Sequence, residues 1–222
     1  MNHYRLDAEH FDYFNNADPT DRAYEKLFRR FISKLAGKPH AVLDIGSGSG
    51  WTAQIPHEQI YFVDLSTRNL AELRSNASLP VMADAYFLPF KNESLEFVIA
   101  SEILEHLNSP EIAAKEIFRV LKPGGKAIVS TPYKEKIRYA LCIHCNQPTP
   151  MNAHLHSFDR QALLSFFPLA NTSIYLFGSK ILTLIHAAKL FGKLPLWIWR
   201  LVNYPLLKLV DKAQHIIIVI ER

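Results

Sequence analysis

The stretch from Val42 to Gly50, Val-Leu-Asp-Ile-Gly-Ser-Gly-Ser-Gly, limits the folds open to this chain more than any other. Val42, Leu43 and Ile45 make a short apolar run that predicts a buried strand, and Gly46, Gly48 and Gly50 follow at alternate positions. A strand that breaks into such a loop lets the backbone approach a ligand closely, because no Cβ stands between them. A second apolar run, Ile60 to Val63, ends at Asp64. In an open α/β sheet the loops after such strands emerge at the carboxyl edge, side by side, and a carboxylate there can hold both hydroxyls of a ribose. The spacing is not the Gly-x-Gly-x-x-Gly that sets a pyrophosphate on a helix N-terminus. No Lys-Ser/Thr follows, which excludes a phosphate-gripping P-loop. Asp44 leads into the glycines, and an acid there suits a ligand with a cationic end. A tight strand-to-helix turn is the bland alternative for the loop alone.

The rest of the chain repeats the strand-then-helix alternation. Tyr24, Leu27, Phe28, Phe31, Ile32 and Leu35 recur at helical spacing and predict a helix from about Asp21 to Leu35, ended by Gly37 and Pro39. Trp51 to Ile55 has room only for a short helix before Pro56, and Ser66 caps a helix from Thr67 to about Ser75. Pro80 to Met82 predicts a third strand, ending at Ala83-Asp84, and Leu95 to Ala100 a fourth, followed by Ser101. Ser109-Pro110-Glu111 is a helix start with an N-cap serine, proline at N1 and an acid in the first turn. Ala127 to Val129 is the fifth strand. Five such signals in order predict a parallel sheet with right-handed crossovers.

In this order the motifs resemble the class I S-adenosylmethionine-dependent methyltransferases, in the broad small-molecule group that includes ubiquinone and menaquinone methylases. The likeness covers roughly residues 40 to 130. It includes Leu104-Glu105-His106 after the fourth strand and Arg119-Val-Leu-Lys-Pro-Gly-Gly125, a chain-turning signature of that superfamily. No substrate signature of the two quinone methylases is present. The resemblance implies a Rossmann-like sheet of about seven strands, mostly parallel with an antiparallel last strand, helices on both faces and S-adenosylmethionine as cofactor. It implies that Asp44, Gly46, Gly48 and Gly50 form the cofactor loop, with Asp44 near the methionine amine. Asp64, with Leu65 beside it, holds the ribose. Asp84 takes the adenine amine, the Ala85 amide meets the ring, and Leu88-Pro89-Phe90 shapes its pocket. Ser101 and His106 lie near the methionine end and the acceptor.

The stretch after the fifth strand is less ordinary. Cys142-Ile-His-Cys145 is followed by His154-Leu-His156. Cys142, Cys145, His154 and His156 are a candidate tetrahedral zinc set. Reduced thiols and surface histidines in a loop are the plainer reading. His106, His154 and His156 are also candidate catalytic bases, since imidazole titrates near neutral pH; methyl transfer to a good nucleophile can instead need only positioning. Ser157 predicts the cap of a helix from Phe158 to Phe167, Asn171 to Phe177 a strand, and His215 to Ile220 the last strand.

Between the last two strands lies an insertion, Gly178 to Gln214, where this superfamily usually has a short turn. It holds Phe191, Trp197, Trp199 and Tyr204 among many leucines. Its bases are Lys180, Lys189, Lys193, Arg200, Lys208 and Lys212, against one acid, Asp211, so the chain's net charge of +4 resides there. No apolar run reaches the ~18 residues a spanning helix needs. Basic helices with tryptophan suit a membrane surface; a substrate lid or a dimer contact is the alternative. Bases interleaved with leucine do not make the polar groove that nucleic acid needs.

The 222 residues, with two cysteines and no apolar N-terminal leader, fit one cytoplasmic methyltransferase domain, peripheral at the membrane if the insertion binds there. Its parts are a helical cover (1–39), a core (40–177), the insertion (178–214) and the last strand (215–222). The expected activity is S-adenosylmethionine-dependent methylation of a small, lipophilic acceptor. The rivals are a non-catalytic binding module on the same fold and, further off, an NAD-dependent oxidoreductase.

Overall fold

The computed structural model describes residues 19–222 apart from 142–145, 169, 185 and 193. Helix α1 (Pro19–Ala36) leads into strand β1 (Ala41–Ile45) and a 3-10 turn, Trp51–Gln54. Then come β2 (Gln59–Asp64), α2 (Thr67–Glu72), β3 (Ser78–Met82), β4 (Leu95–Ser101), a 3-10 turn Leu104–His106, α3 (Pro110–Val120) and β5 (Leu121–Pro132). A small hairpin follows, β6 (Tyr139–Leu141) with β7 (Pro148–Pro150), and then α4 (Arg160–Ser165) and β8 (Asn171–Ser179). Helices α5 (Lys180–Leu184), α6 (Ala188–Phe191) and α7 (Leu196–Val210) precede the last strand, β9 (Ala213–Glu221).

The main sheet has seven strands in the order β3-β2-β1-β4-β5-β9-β8. Neighbours from β3 through β5 are parallel, and β9 runs antiparallel to both β5 and β8. The expected single reversal at the last strand is therefore present. The order turns back between β1 and β4, so the loops after those strands open a crevice at the carboxyl edge.

Both sheet faces are apolar, and alternation along each strand divides the core in two. Leu43, Val98, Ala100, Ile216 and Ile218 face one layer, where α3 contributes Ala113, Ala114 and Ile117 and α4 contributes Leu163. Val42, Phe97, Ile99 and Ile217 face the other, covered by Leu27, Phe28, Phe31 and Ile32 of α1. The insertion joins this second layer. Trp199 is fully buried and packs against Phe177 and Phe191, with ring centroids 5.7 and 5.4 Å away. The Asn203 side-chain oxygen accepts a bond from the Ser179 amide at 2.8 Å, and Arg30 of α1 donates to the carbonyls of Gly192 and Leu194. These ties make α5–α7 part of the fold on one side only.

Local differences from the sequence expectations have plain causes. The cap of α4 is Asp159, not Ser157; its carboxylate accepts from the Ala162 amide at 2.9 Å. Ser109 stands at the start of α3 without a side-chain cap bond; its amide instead donates to the Tyr86 hydroxyl. The fifth strand begins before Ala127, because Lys126 to Pro132 pair with β9 along one edge while Leu121 reaches back to Leu95 across an irregular register.

Candidate active site

The glycine loop is built from backbone constraints. The amides of Gly46 and Ser47 both donate to the Val63 carbonyl, at 2.8 and 3.1 Å, which ties the end of β1 to β2. Gly46, Gly48 and Gly50 all have positive φ (69°, 48° and 66°), a region that costs an L side chain roughly 1–2 kcal/mol. At Gly46 a Cβ would also stand 2.5 Å from Ile103 Cδ1. The loop therefore requires glycine for both its dihedrals and its packing.

Asp64 closes this loop. Its Oδ2 accepts from the Gly48 amide and its Oδ1 from the Ser66 amide, both at 2.9 Å. Each carboxylate oxygen retains a lone pair, so the group is held in place and can still accept two hydroxyls. Beside it is a cavity of about 480 Å³, within the usual range of small-ligand sites. Its wall carries Ser47, whose buried hydroxyl has no hydrogen-bond partner among the described residues. A fixed acid, a glycine backbone and an unpartnered hydroxyl fit the ribose and amino-acid ends of S-adenosylmethionine.

The structure sorts the expected site residues. Gly46, Gly48, Asp64, Leu65, Ala85, Ser101 and His106 lie on the cavity wall. Asp44, Gly50 and Asp84 are not among its lining residues. The Asp44 carboxylate accepts from the Thr52 hydroxyl at 2.5 Å, and burial pushes its pKa up to about 7, with the charge of Asp64 adding to the rise. Gly50 starts the 3-10 turn and packs under Leu73. Asp84 shapes a turn: its Oδ1 accepts from the Tyr86 amide at 3.1 Å and its carbonyl from the Phe87 amide at 2.9 Å.

Among the wall residues that were not singled out from the sequence are Ser47 and a connected group, Tyr24, Glu102 and His215. Glu102 sits just past β4 at φ 56°, a strained backbone for glutamate. Its Oε2 lies 3.1 Å from His215 Nε2, and its Oε1 accepts from the Ser130 hydroxyl at 2.8 Å. Ser130 in turn bonds Ser101, at 2.9 Å. The far nitrogen of His215, Nδ1, is 2.9 Å from the Tyr24 hydroxyl. Burial raises the Glu102 carboxyl, but the charge and hydrogen bond of His215 and the bond from Ser130 together hold it below the ordinary carboxylate range. Burial, with the charge of Glu102, keeps the Tyr24 phenol well above its usual value and hence neutral. The sequence signal for Glu102 was its place as one more acid at a strand end, after Asp44, Asp64 and Asp84. Nothing local marks His215, which reaches the site because β9 returns beside β5.

Of the other histidines, His106 is held down at about 4, by burial and then by His154. Its ring meets that of His154 edge-on, with centroids 4.8 Å apart, and His154 Nδ1 lies 2.5 Å from Glu135 Oε2. His156 packs beside Phe158, and its Nε2 is buried without a partner among the described residues. Cys142 and Cys145 of the candidate zinc set lie outside the described residues. Among those described, His154 gathers with Glu105 and His106, and His156 is not in that group.

Comparison with known proteins bears on the fold and on one segment of the chain. Residues 43–129 match the family model described as a methyltransferase domain. The chain is 31% identical over 128 residues to a ubiquinone/menaquinone biosynthesis C-methyltransferase, UbiE, of Desulfotalea psychrophila, covering 52% of each chain. It is 32% identical over 104 residues to a malonyl-[acyl-carrier protein] O-methyltransferase of Hahella chejuensis, covering 43% of this chain and 37% of that one. The chain thus spans about half the length, or less, of these curated relatives. Among solved structures, an S-adenosylmethionine-dependent methyltransferase from Mesorhizobium loti superposes with a TM-score of 0.62 at 16% identity, covering 91% of this chain and all of that one. The [4+2]-cyclase SpnF superposes at 0.58 with 18% identity, covering 89% and 80%. These two show a shared fold, and SpnF is a reminder that the fold carries more than one chemistry. The sheet order and these superpositions show the fold that S-adenosylmethionine-dependent methyltransferases share, and within it residues 43–129 are similar to a methyltransferase domain.

Proposed function

We propose that this protein transfers a methyl group from S-adenosylmethionine to a small-molecule acceptor. The observation that carries this reading is the Asp64 carboxylate, fixed by the Gly48 and Ser66 amides on the cavity wall with a lone pair left on each oxygen. Bound there, the cofactor supplies a methyl group already activated on a sulfonium. Asp64 takes the ribose hydroxyls, and Ser47 offers its unpartnered hydroxyl. Ala85 on the wall marks the adenine side, next to the turn that Asp84 shapes, and Asp44, buried and off the wall, favours the cationic end of the ligand at a distance when charged above its pKa of about 7. The acceptor must lose a proton as it gains the methyl group. Tyr24 is positioned to take that proton while passing its own to His215 Nδ1, with Glu102 steadying the imidazolium. His106, held at about 4, is neutral at pH 7 and a weak base, so its role at the wall is positioning.

The test is calorimetric titration with S-adenosylhomocysteine, with NAD for comparison and Asp64→Ala as control. Removing bonds to a charged group costs about 1.5–3 kcal/mol, so the variant should bind ten-fold or more weaker. Binding of NAD instead would favour an oxidoreductase, and binding of neither a non-catalytic module.

The acceptor we infer is lipophilic and met at a membrane surface. Helix α7 carries Trp197, Leu201, Tyr204 and Leu209 exposed on its outer side, with Arg200 and Lys208 among them. Such a face suits an anionic interface. The relative named for ubiquinone and menaquinone biosynthesis supports the same acceptor class. Among the described residues no helix is long and apolar enough to cross a membrane, so the contact would be peripheral. Flotation with vesicles containing anionic lipid tests it; absence of binding at low salt would remove the membrane half of the reading.

A further inference from the structure

We infer that Glu105, His106 and His154 hold a divalent transition-metal ion beside the cavity, leaving a coordination position for an oxygen atom of the acceptor. The ion site stands on its own geometry; the acceptor oxygen rests on the methyl-transfer reading above.

One ligand atom from each of the three residues lies within 4.8 Å of the other two. The strongest single observation is Glu105. It is 0% exposed, and neither carboxylate oxygen has a hydrogen-bond partner among the described residues. A buried polar group left unpaired is costly, and a buried charge more so. A buried, unpartnered carboxyl group stands beside two imidazoles, one of them already held by Glu135, and a cation is the ligand that turns this arrangement from unfavourable to favourable.

The two imidazoles are oriented for the same purpose. His154 Nδ1 is turned to the Glu135 carboxylate at 2.5 Å. That carboxylate–histidine pairing leaves Nε2 as the free lone pair, as metal-binding histidines usually require. His106 gives its ring bond to the Ala153 carbonyl, and its Nδ1 has no partner. The segment is clamped in register, because the Glu105 carbonyl accepts from the amides of Leu155, at 2.7 Å, and His156, at 3.3 Å. An ion about 2.0–2.2 Å from each ligand would draw the three groups together by ~1 Å. Two imidazoles with one carboxylate suit zinc, cobalt or manganese better than magnesium or calcium, which prefer all-oxygen sites. His106 belongs both to this cluster and to the cavity wall, so the remaining position opens toward the acceptor. This set shares only His154 with the candidate Cys142/Cys145 site and needs no thiolate.

The experiment uses full-length protein made without a histidine tag, stripped with EDTA and titrated with cobalt chloride, read by its visible d–d absorption. One equivalent should saturate the band, with zinc chloride displacing it. Glu105→Gln and His154→Gln should each weaken cobalt binding at least ten-fold, and Glu135→Gln, which orients a ligand, by about ten- to a hundred-fold. Circular dichroism and S-adenosylhomocysteine titration of the same samples report on the fold and the cofactor pocket. No cobalt band in the wild type, or equal binding by well-folded variants, overturns the ion site. Cobalt binding that persists without S-adenosylhomocysteine binding overturns the methyl-transfer reading and leaves the ion site standing.

Discussion

The His215 imidazole on β9 meets the Glu102 carboxylate at the end of β4 with 3.1 Å between Nε2 and Oε2, although β5 lies between the two strands. The pair is reached over the top of β5, where the Ser130 carbonyl accepts from the Glu102 amide at 3.0 Å. Glu102→Gln should therefore show a pH-dependent penalty. The folded carboxyl lies below its ordinary range, so its contribution is present above the unfolded value of about 4.3 and is lost as pH falls through the folded value. The variant should be about 1 kcal/mol less stable than wild type at pH 6–7, with the gap closing below pH ~4. Urea unfolding at several pH values measures this, and a constant gap would count against the ion pair.

Asp44 has the opposite sign. Its folded pKa of about 7 stands above the unfolded value of about 3.9. Between those values the folded protein keeps a proton the unfolded chain has released, so stability falls as pH rises through the window and levels off above it. The full loss is of the order of 4 kcal/mol. In Asp44→Asn the Thr52 hydroxyl can still donate to the amide oxygen, and this loss should disappear. Melts of both proteins at pH 5 and pH 8 decide it; parallel behaviour would show that Asp44 is already ionised at pH 5.

Gly46→Ala combines two separable costs. The positive φ costs roughly 1–2 kcal/mol for any L side chain, and the new Cβ collides with Ile103. Adding Ile103→Ala should relieve the collision but not the backbone strain. The double mutant should thus be more stable than the sum of the single changes predicts, by more than the ~0.5 kcal/mol expected of independent sites. Additive losses would mean that the loop shifts rather than clashes.

The exposed face of α7 yields a prediction that leaves the fold untouched. Arg200 and Lys208 are exposed, and the Lys208 ammonium lies over the Tyr204 ring at 4.8 Å. Arg200→Glu and Lys208→Glu should each weaken binding to anionic vesicles by about 1 kcal/mol or more, while thermal stability changes by less than ~0.5 kcal/mol. Binding that ignores both substitutions and salt would point to a purely apolar contact, such as a second copy of the chain.

Residue order alone was enough for the sheet. Alternating apolar runs in β1, β2, β4 and β5, with glycine and proline at their ends, specify strands and crossovers because burial at period two and turn chemistry are local properties. The same is true of the glycine loop and of Asp64, which lie at strand ends wherever the strands go. Trp197 and Trp199 could not be told apart that way. They are two residues apart on one helix, yet one is 63% exposed and the other 1%, because the position of α7 against Phe177 decides which side is covered. The site is divided in the same manner. Gly46, Gly48 and Asp64 followed from local sequence, whereas Tyr24, Glu102 and His215 come together from α1, β4 and β9. Likewise Glu105 gains His154 as a neighbour only where the chain after β7 returns to the Glu105 carbonyl. Local preference sets which elements form; long-range pairing and the two-layer core set which side chains meet, and the proposed proton path and ion site depend on those meetings.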